Sequence, residues 1–251
     1  ENANDLSNTY NGTASNVTFG KPGYLTRNTE GTIESTVSAN NDLGFSIVKY
    51  YGNGIAGATI GHSLTTTAPQ LIIVKSLNTI GGSAKAWTVY TEITGNTKFL
   101  YLNSTAEAQT YNFWNNTSPT SSVFSVSSDT NVNSSSGEYI AYCFASKPNY
   151  SKVGSYLGNG NANGPVVTLG FEPAFVMIKG VNEISDWTVL DNKRDTSNPN
   201  SARLDANDSM AEYNAVDLMD FNSDGFQLKT SSAGQNASGK TFIYLAFANT
   251  I

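Results

Sequence analysis

The chain has 251 residues, a formal net charge of −6 and one cysteine, and only 14 % of its residues are charged. The sparse Lys and Arg residues exclude the cationic surface that drives nucleic-acid binding, and the chain has no run of about 18 apolar residues of the kind that spans a membrane. Asn, Ser, Thr and Gly replace the missing charges, and because they compete with helices for backbone hydrogen bonds, the composition favours strands and turns.

Residues 1–42 form a polar segment with isolated apolar side chains. These are Val17, Phe19, Tyr24, Leu25, Ile33 and Val37. So few apolar residues do not offset a backbone entropy cost of about 1–2 kcal/mol per residue. Residues 15–19 and 31–37 nevertheless have a strand-like composition. We therefore predict an extended N-terminal arm, or the end of a preceding domain, that adds strands to the first repeat described below or to a neighbouring subunit.

Short strands are predicted throughout the next hundred residues. They cover 45–51, 71–74, 87–90, 98–102, 124–127 and 139–145. The first strand ends at Gly52-Asn-Gly54, a turn signal. The continuous apolar run 71–74 indicates a strand buried on both faces. Only two segments, 104–109 and 208–212, are predicted to form a turn or two of helix.

These landmarks return in the same order about 100–106 residues later, which indicates an internal repeat. The matched segments are 51–54 with 157–160, 69–75 with 173–179, 87–90 with 187–190, Phe124 with Phe226, and 139–145 with 242–248. The predicted boundaries are 43–146 for the first repeat and 150–251 for the second, with a short junction at 146–149. The predicted fold class is all-β, with two tandem β-sandwich (jelly-roll-like) domains preceded by the extended arm.

Signals for catalysis are weak, and we predict that the chain is not an enzyme. His62 is the only histidine, so a His-based metal site cannot form. The sequence has no Gly-x-Ser-x-Gly nucleophile motif. Cys143 lies in the apolar strand 139–145 and is predicted to be a buried, unreactive thiol.

The one metal candidate is the segment Asp220-Phe-Asn-Ser-Asp-Gly225. Asp220, Asn222 and Asp224 place oxygen ligands on alternate residues before a glycine, as in the opening of a calcium-binding loop. Ser231 stands where such a loop carries its glutamate. The same residue types are also typical of a turn before a strand. Calcium binding and a simple turn therefore both remain open, and no other cofactor is expected.

Aromatic residues beside amides provide a second candidate site. Tyr111 and Trp114 lie in the segment 111–116 between asparagines, an arrangement that suits stacking on a sugar or a partner surface. The alternative is that they pack at the edge of their own domain. Trp87 and Trp187 recur at matched positions of the repeat and are predicted to pack in the core.

The segments 45–54, 60–64, 69–75, 87–90 and 139–145 together resemble repeat domains in structural proteins of tailed, marine-type bacteriophages, which include tail-fibre-like proteins. The resemblance covers residues 43–251. It implies a location on the virion surface or outside the cell, with copies of the chain and other virion proteins as partners. It also implies the role of a tail-fibre or surface-appendage component that contacts host-surface glycans. The alternatives are a capsid decoration or head-fibre protein, and a cellular surface adhesin, lectin-like module or filament subunit.

Overall fold

The computed structural model describes residues 26–214 and 216–249. This part of the chain is all-β, and we divide it into a first half, 26–146, and a second half, 147–249. The strands of the first half are β1 (Thr26–Asn28), β2 (Ser35–Asn40), β3 (Phe45–Tyr51), β4 (Ala58–Gly61), β5 (Leu71–Ser76), β6 (Thr88–Thr91), β7 (Lys98–Tyr101), β8 (Gln109–Thr110), β9 (Val123–Val126) and β10 (Glu138–Phe144). The elements of the second half are β11 (Ser151–Leu157), β12 (Val166–Thr168), β13 (Pro173–Gly180), β14 (Thr188–Asp191), β15 (Leu204–Asp205), β16 (Met219–Asn222), β17 (Gly225–Leu228), the helical turn α1 (Ala233–Asn236) and β18 (Thr241–Ala248).

Each half contains one large and one small antiparallel sheet. The first large sheet has the order β1-β2-β3-β10-β5-β6-β7-β8, and the second has the order β11-β18-β13-β14-β15. The small sheets are β4-β9 and β12-β17-β16. In both halves the last strand lies at the centre of the large sheet. β10 lies between β3 and β5, and β18 lies between β11 and β13 in the same arrangement.

Strand alternation divides the apolar residues among three buried layers. In β5, Ile72 and Val74 face the core between the first large sheet and the β4-β9 sheet, whereas Leu71 and Ile73 face the second half. The second half has its own core between its large and small sheets. The middle layer, between the two large sheets, contains Leu71, Ile73, Val89, Leu100, Val153, Met177, Trp187, Ile243 and Leu245. The sheets therefore stack face to face, and the run 71–74 is buried on both faces, as predicted.

Hydrogen bonds also join the halves. Trp187 donates from Nε1 to the carbonyl of Tyr101 (2.9 Å). The fully buried Lys179 amine donates to the carbonyls of Thr105 (2.8 Å) and Ser185 (2.6 Å). Burial lowers the pKa of Lys179 to about 8. Nothing in the sequence distinguishes this lysine, because it ends a matched apolar run and looks like an ordinary strand terminus.

The six strands predicted in the first repeat are confirmed, whereas both predicted helices are wrong. Residues 104–108 have no regular secondary structure, because the backbone groups that a helix would use pair with the second half instead. Ala108 donates to Val181 O (2.9 Å), and Ser185 donates to Thr105 O (3.1 Å). Residues 208–212 are also non-helical. The single helical turn of the described residues is α1, and it is too short to cross a membrane.

Residues 26–42 belong to the first large sheet. β2 pairs with β3 over six residues, from Ser35–Tyr50 to Asn40–Phe45, and Ile33 and Val37 are buried in the first core. The boundary predicted at residue 43 therefore lies inside a β-hairpin. Of the strand-like segments predicted in the arm, 31–37 contributes to this sheet, and 15–19 lies outside the described residues.

Candidate functional site

A surface cavity of about 390 Å³ opens beside the β2–β3 hairpin. Its lining residues are Ser38, Ala39, Asn40, Asn41, Asp42, Phe45 and Ile47. Small-molecule sites in proteins typically enclose about 300–1,000 Å³ and combine an apolar surface with a few polar groups. The cavity lies at the lower end of that volume range and is open to solvent, with Phe45 and Ile47 as its apolar side and amide and carboxylate groups at its rim.

Local hydrogen bonds fix the hairpin turn that forms the rim. The Oδ1 atom of Asn40 accepts hydrogen bonds from the backbone N–H groups of Asp42 and Leu43, each at 3.0 Å. Gly44 follows with a φ of 64°, a conformation that favours glycine. A Cβ atom at this position would also collide with the carbonyl oxygen of Ala145. The sequence Asn-Asn-Asp-Leu-Gly therefore sets one defined turn.

Asn41 attaches this turn to the loop that follows β4. Its Nδ2 donates to Ser63 O (3.0 Å), and its Oδ1 accepts from the backbone N–H of Thr65 (2.8 Å). The Asp42 carboxylate, in contrast, is exposed and makes no hydrogen bond to any described residue. It remains available to accept hydrogen bonds from a ligand.

Phe45 begins a row of half-buried aromatic rings that continues into the second half. Its ring centroid is 4.9 Å from that of Phe144, which is 6.3 Å from that of Phe247. Phe247 in turn contacts Tyr150 and Phe175 at 5.8 and 5.9 Å. The row supports Phe45 from behind, so its position depends on the packing of both large sheets.

The chemistry of this site suits a neutral polyhydroxylated ligand. The hydrophobic face of a sugar can pack against an aromatic ring, while its hydroxyl groups bond to amides and a carboxylate. The lining has no cation, histidine or cysteine. Nowhere in the described part of the chain do three or more His, Cys, Asp or Glu side chains converge as metal ligands. The arrangement therefore supports binding of such a ligand.

The two predicted aromatic candidates have different environments. Trp114 is only 1 % exposed and packs edge-on against Tyr90 in the first core. Of the two interpretations of Trp114, packing within its own domain is the one that agrees with this burial. Tyr111 is 49 % exposed, and its hydroxyl donates to Asp129 Oδ2 (2.9 Å). It is a surface aromatic outside the cavity.

The predicted calcium segment forms a hairpin. Asp220 and Asn222 lie in β16, Asp224 lies in the two-residue turn, and Asn222 pairs with Gly225 at the start of β17. Asp220 forms an ion pair with Lys229 at 3.3 Å. A calcium loop folds around its ion, whereas residues 219–228 run out and back as paired strands. The segment therefore has the hairpin geometry that the turn interpretation predicts, and calcium binding stays a prediction.

His62 and Cys143 both lie in the first core. The Nε2 of His62 donates to Thr120 O (3.1 Å), and its Nδ1 accepts from the backbone N–H of Leu64 (3.0 Å). Burial lowers the pKa of this imidazole. Burial also raises the pKa of the Cys143 thiol to about 12, which opposes formation of the reactive thiolate. Both side chains are fully buried and belong to the core, away from any accessible site.

Sequence reasoning missed the cavity. Asn40, Asn41 and Asp42 read as ordinary turn residues, and Phe45 reads as the first residue of a strand. The signal that was present is the Asn-Asn-Asp-Leu-Gly turn between two strand-like segments. It predicts a hairpin, but it does not say that the aromatic ring beside it keeps an accessible face.

Comparison with known proteins places the chain in a family. The model of a family described as a domain of unknown function, DUF7483, matches residues 2–250. No curated protein and no solved structure matches the chain. Because the match includes both halves, one family unit spans the stacked sheets described above, and the chain belongs to the DUF7483 domain family.

Proposed function

We propose that the chain is a non-enzymatic structural protein of a tailed-bacteriophage virion that contacts host-surface glycans through the Phe45 cavity. In this proposal it forms part of a tail fibre or another surface appendage, and its two halves are tandem β-sandwich domains. The observation that carries the binding role is the cavity itself, which combines an aromatic ring, amides and an unpaired carboxylate without a cation. The virion role rests on the sequence resemblance stated above.

The wider architecture agrees with a mechanical role. Both halves have the same central strand order, and a buried apolar layer joins their large sheets. A stack of sheets that share buried layers resists independent movement of its parts, which suits a protein exposed on the surface of a particle. Cellular adhesins and capsid decoration proteins also need such rigidity. Glycan binding and the location of the chain on the particle therefore distinguish the three roles.

Glycan-array binding of the full chain tests the proposed ligand class. We expect binding to neutral glycans that is lost in Phe45→Ala and weakened in Asp42→Ala. Tyr51→Ala is the matched control, because Tyr51 is an exposed aromatic of the same strand that does not line the cavity. Absence of glycan binding, or equal binding by the wild type and Phe45→Ala, would contradict the glycan role.

Immunogold labelling of virus particles tests the location. Antibodies raised against the chain should label tails or other appendages. Labelling confined to capsids would favour the decoration alternative, and labelling of host cells alone would favour the cellular adhesin.

A further inference from the structure

The first half shows how this fold covers one edge of its sheets. In β3, the odd-numbered residues point their backbone groups away from β10, and β2 pairs with them. The preceding residues reach the small sheet, where Ile33 N donates to Thr59 O in β4 at 2.9 Å. Residues 31–40 therefore lie across both edge strands and place Ile33 and Val37 in the core between them.

The equivalent edge of the second half is formed by β11 and β12. Ala248 N donates to Tyr150 O and Gly158 N donates to Lys240 O, so the even-numbered residues of β11 bond to β18 and the odd-numbered ones point outward. The junction between the halves, residues 146–149, covers only the start of this edge. Lys147 pairs with Ser151, and the Val153 N–H donates to Ser146 Oγ at 2.9 Å. Within residues 26–214 and 216–249, the outward N–H groups of Ser155 and Leu157 have no partner.

Burial of the neighbouring core side chains shows the same difference. Tyr50 in β3 is 1 % exposed, and its equivalent Tyr156 in β11 is 7 % exposed. Ile60 in β4 is 0 % exposed, and its equivalent Val167 in β12 is 7 % exposed. The second core is thus less completely covered on the side where residues 31–40 complete the first core.

Lys152 partly takes the place of the missing strand. Its Nζ donates to Thr168 O at 2.8 Å. In the first half the equivalent carbonyl, that of Gly61, accepts from Ser35 Oγ of β2 at 2.9 Å. The residue equivalent to Lys152 is Ser46, which is buried. A lysine at a sheet edge is a common protection against unwanted strand pairing, and here one side chain occupies a hydrogen-bonding position that a strand would fill.

We infer that the edge formed by β11 and β12 is a docking surface for an extended strand from a different polypeptide. The first half supplies the chemistry of the occupant: a small residue at the position of Gly31, then apolar residues at the positions of Ile33 and Val37. Strand addition to an exposed edge supplies backbone hydrogen bonds, and the apolar side chains enter the core.

Two features restrict the occupant further. In the first half, a Cβ atom at Gly61 would collide with Asn28, which ends β1. The equivalent residue of the second half is Thr168, which has a Cβ atom, so a residue placed like Asn28 would not fit there. The surface therefore accepts a single strand without a β1-like partner. Residues 35–40 of a second copy are poor donors, because they are already paired with β3 of their own chain.

Binding of a labelled peptide to the full chain tests the inference. The probe is a synthetic peptide of residues 29–41, and its control carries Asp in place of Ile33 and Val37. We expect saturable binding by fluorescence polarisation for the probe only. Lys152→Ser, which installs the first-half residue, should tighten binding about tenfold, and Ser155→Pro should weaken it about tenfold, because proline removes the outward N–H group without affecting the bonds to β18.

Ser155→Ala is the matched control, since it changes the same side chain but keeps the N–H group, and it should bind like the wild type. Equal binding by Ser155→Pro and Ser155→Ala would overturn the inference, as would failure of both the wild type and Lys152→Ser to bind the probe. If Ser155→Pro does not fold, the Lys152→Ser comparison decides alone. Sedimentation that detects self-association abolished by Ser155→Pro would instead identify a second copy as the occupant. None of these outcomes depends on glycan binding.

Discussion

At the scale of single residues, buried amides organise corresponding turns in the two halves. Asn133 is fully buried, and its Nδ2 donates to Asn53 Oδ1, Ile55 O and Ser127 O. Asn236 makes the equivalent three bonds, to Asn159 Oδ1, Asn161 O and Thr230 O. A buried amide costs free energy unless it is hydrogen-bonded, so these bonds fix the Gly-Asn-Gly turns that follow β3 and β11.

His62 should make stability depend on pH, and the sign follows from its burial. Its folded pKa is lowered by burial, so the unfolded chain takes up a proton at higher pH than the folded chain does. The contribution is fully present above the unfolded pKa of about 6.5 and is lost as pH falls through 6.5 towards the folded pKa. Urea unfolding should therefore give a lower free energy at pH 5.5 than at pH 7.5.

The control is His62→Leu, which installs the residue found at the equivalent position, Leu169. At pH 7.5 this variant should lose about 1–3 kcal/mol, because the Leu64 N–H and Thr120 carbonyl lose their partner. The deficit relative to the wild type should shrink at pH 5.5. A deficit that stays constant between the two pH values would show that His62 does not titrate in this range.

At the scale of elements, residues 31–40 close the first core, and Ile33 is buried there beside Ile60 of β4. We expect Ile33→Ala to lower the free energy of unfolding by about 2–4 kcal/mol, because it leaves a cavity between β3 and β4. Ile55→Ala is the control, since Ile55 is an exposed isoleucine of the first half, and it should change stability by less than about 0.5 kcal/mol. Similar losses in chemical denaturation for both variants would show that the segment does not complete the core.

At the scale of the whole molecule, the middle apolar layer should make the two halves unfold together. Ile73 belongs only to that layer. We expect the wild type to unfold in a single urea transition, and Ile73→Asp to lose about 3 kcal/mol or more, because burial of an unpaired carboxylate is unfavourable. The variant should also become sensitive to limited proteolysis at the junction near residues 146–149.

The matched control for the middle layer is Ile184→Asp, at an exposed isoleucine of the second half. It should keep the wild-type transition and the wild-type resistance to proteolysis. Two separate transitions in the wild type would contradict cooperative unfolding of the halves.

The sequence by itself determined the all-β class and the positions of most strands in the first repeat. Period-two alternation and turn residues are local signals, so 45–51 and 139–145 were predicted within one residue of β3 and β10. The turn interpretation of residues 220–225 was also available locally, because a two-residue hairpin turn needs only the residues that form it. The segments that recur in the same order, such as 69–75 with 173–179 and 139–145 with 242–248, form strands at corresponding positions in the two large sheets.

Only the tertiary structure decided which side chains are accessible and which edges are covered. The sequence left open whether Trp114 stacks on a ligand or packs in its own domain, and long-range packing buries it against Tyr90. Residues 104–108 looked helical, yet their backbone groups pair with the second half. The cavity at Phe45 and the open edge of β11 likewise depend on strands distant in sequence. Accessibility is a property of what packs on top of a segment, and the segment's own sequence does not specify that neighbour.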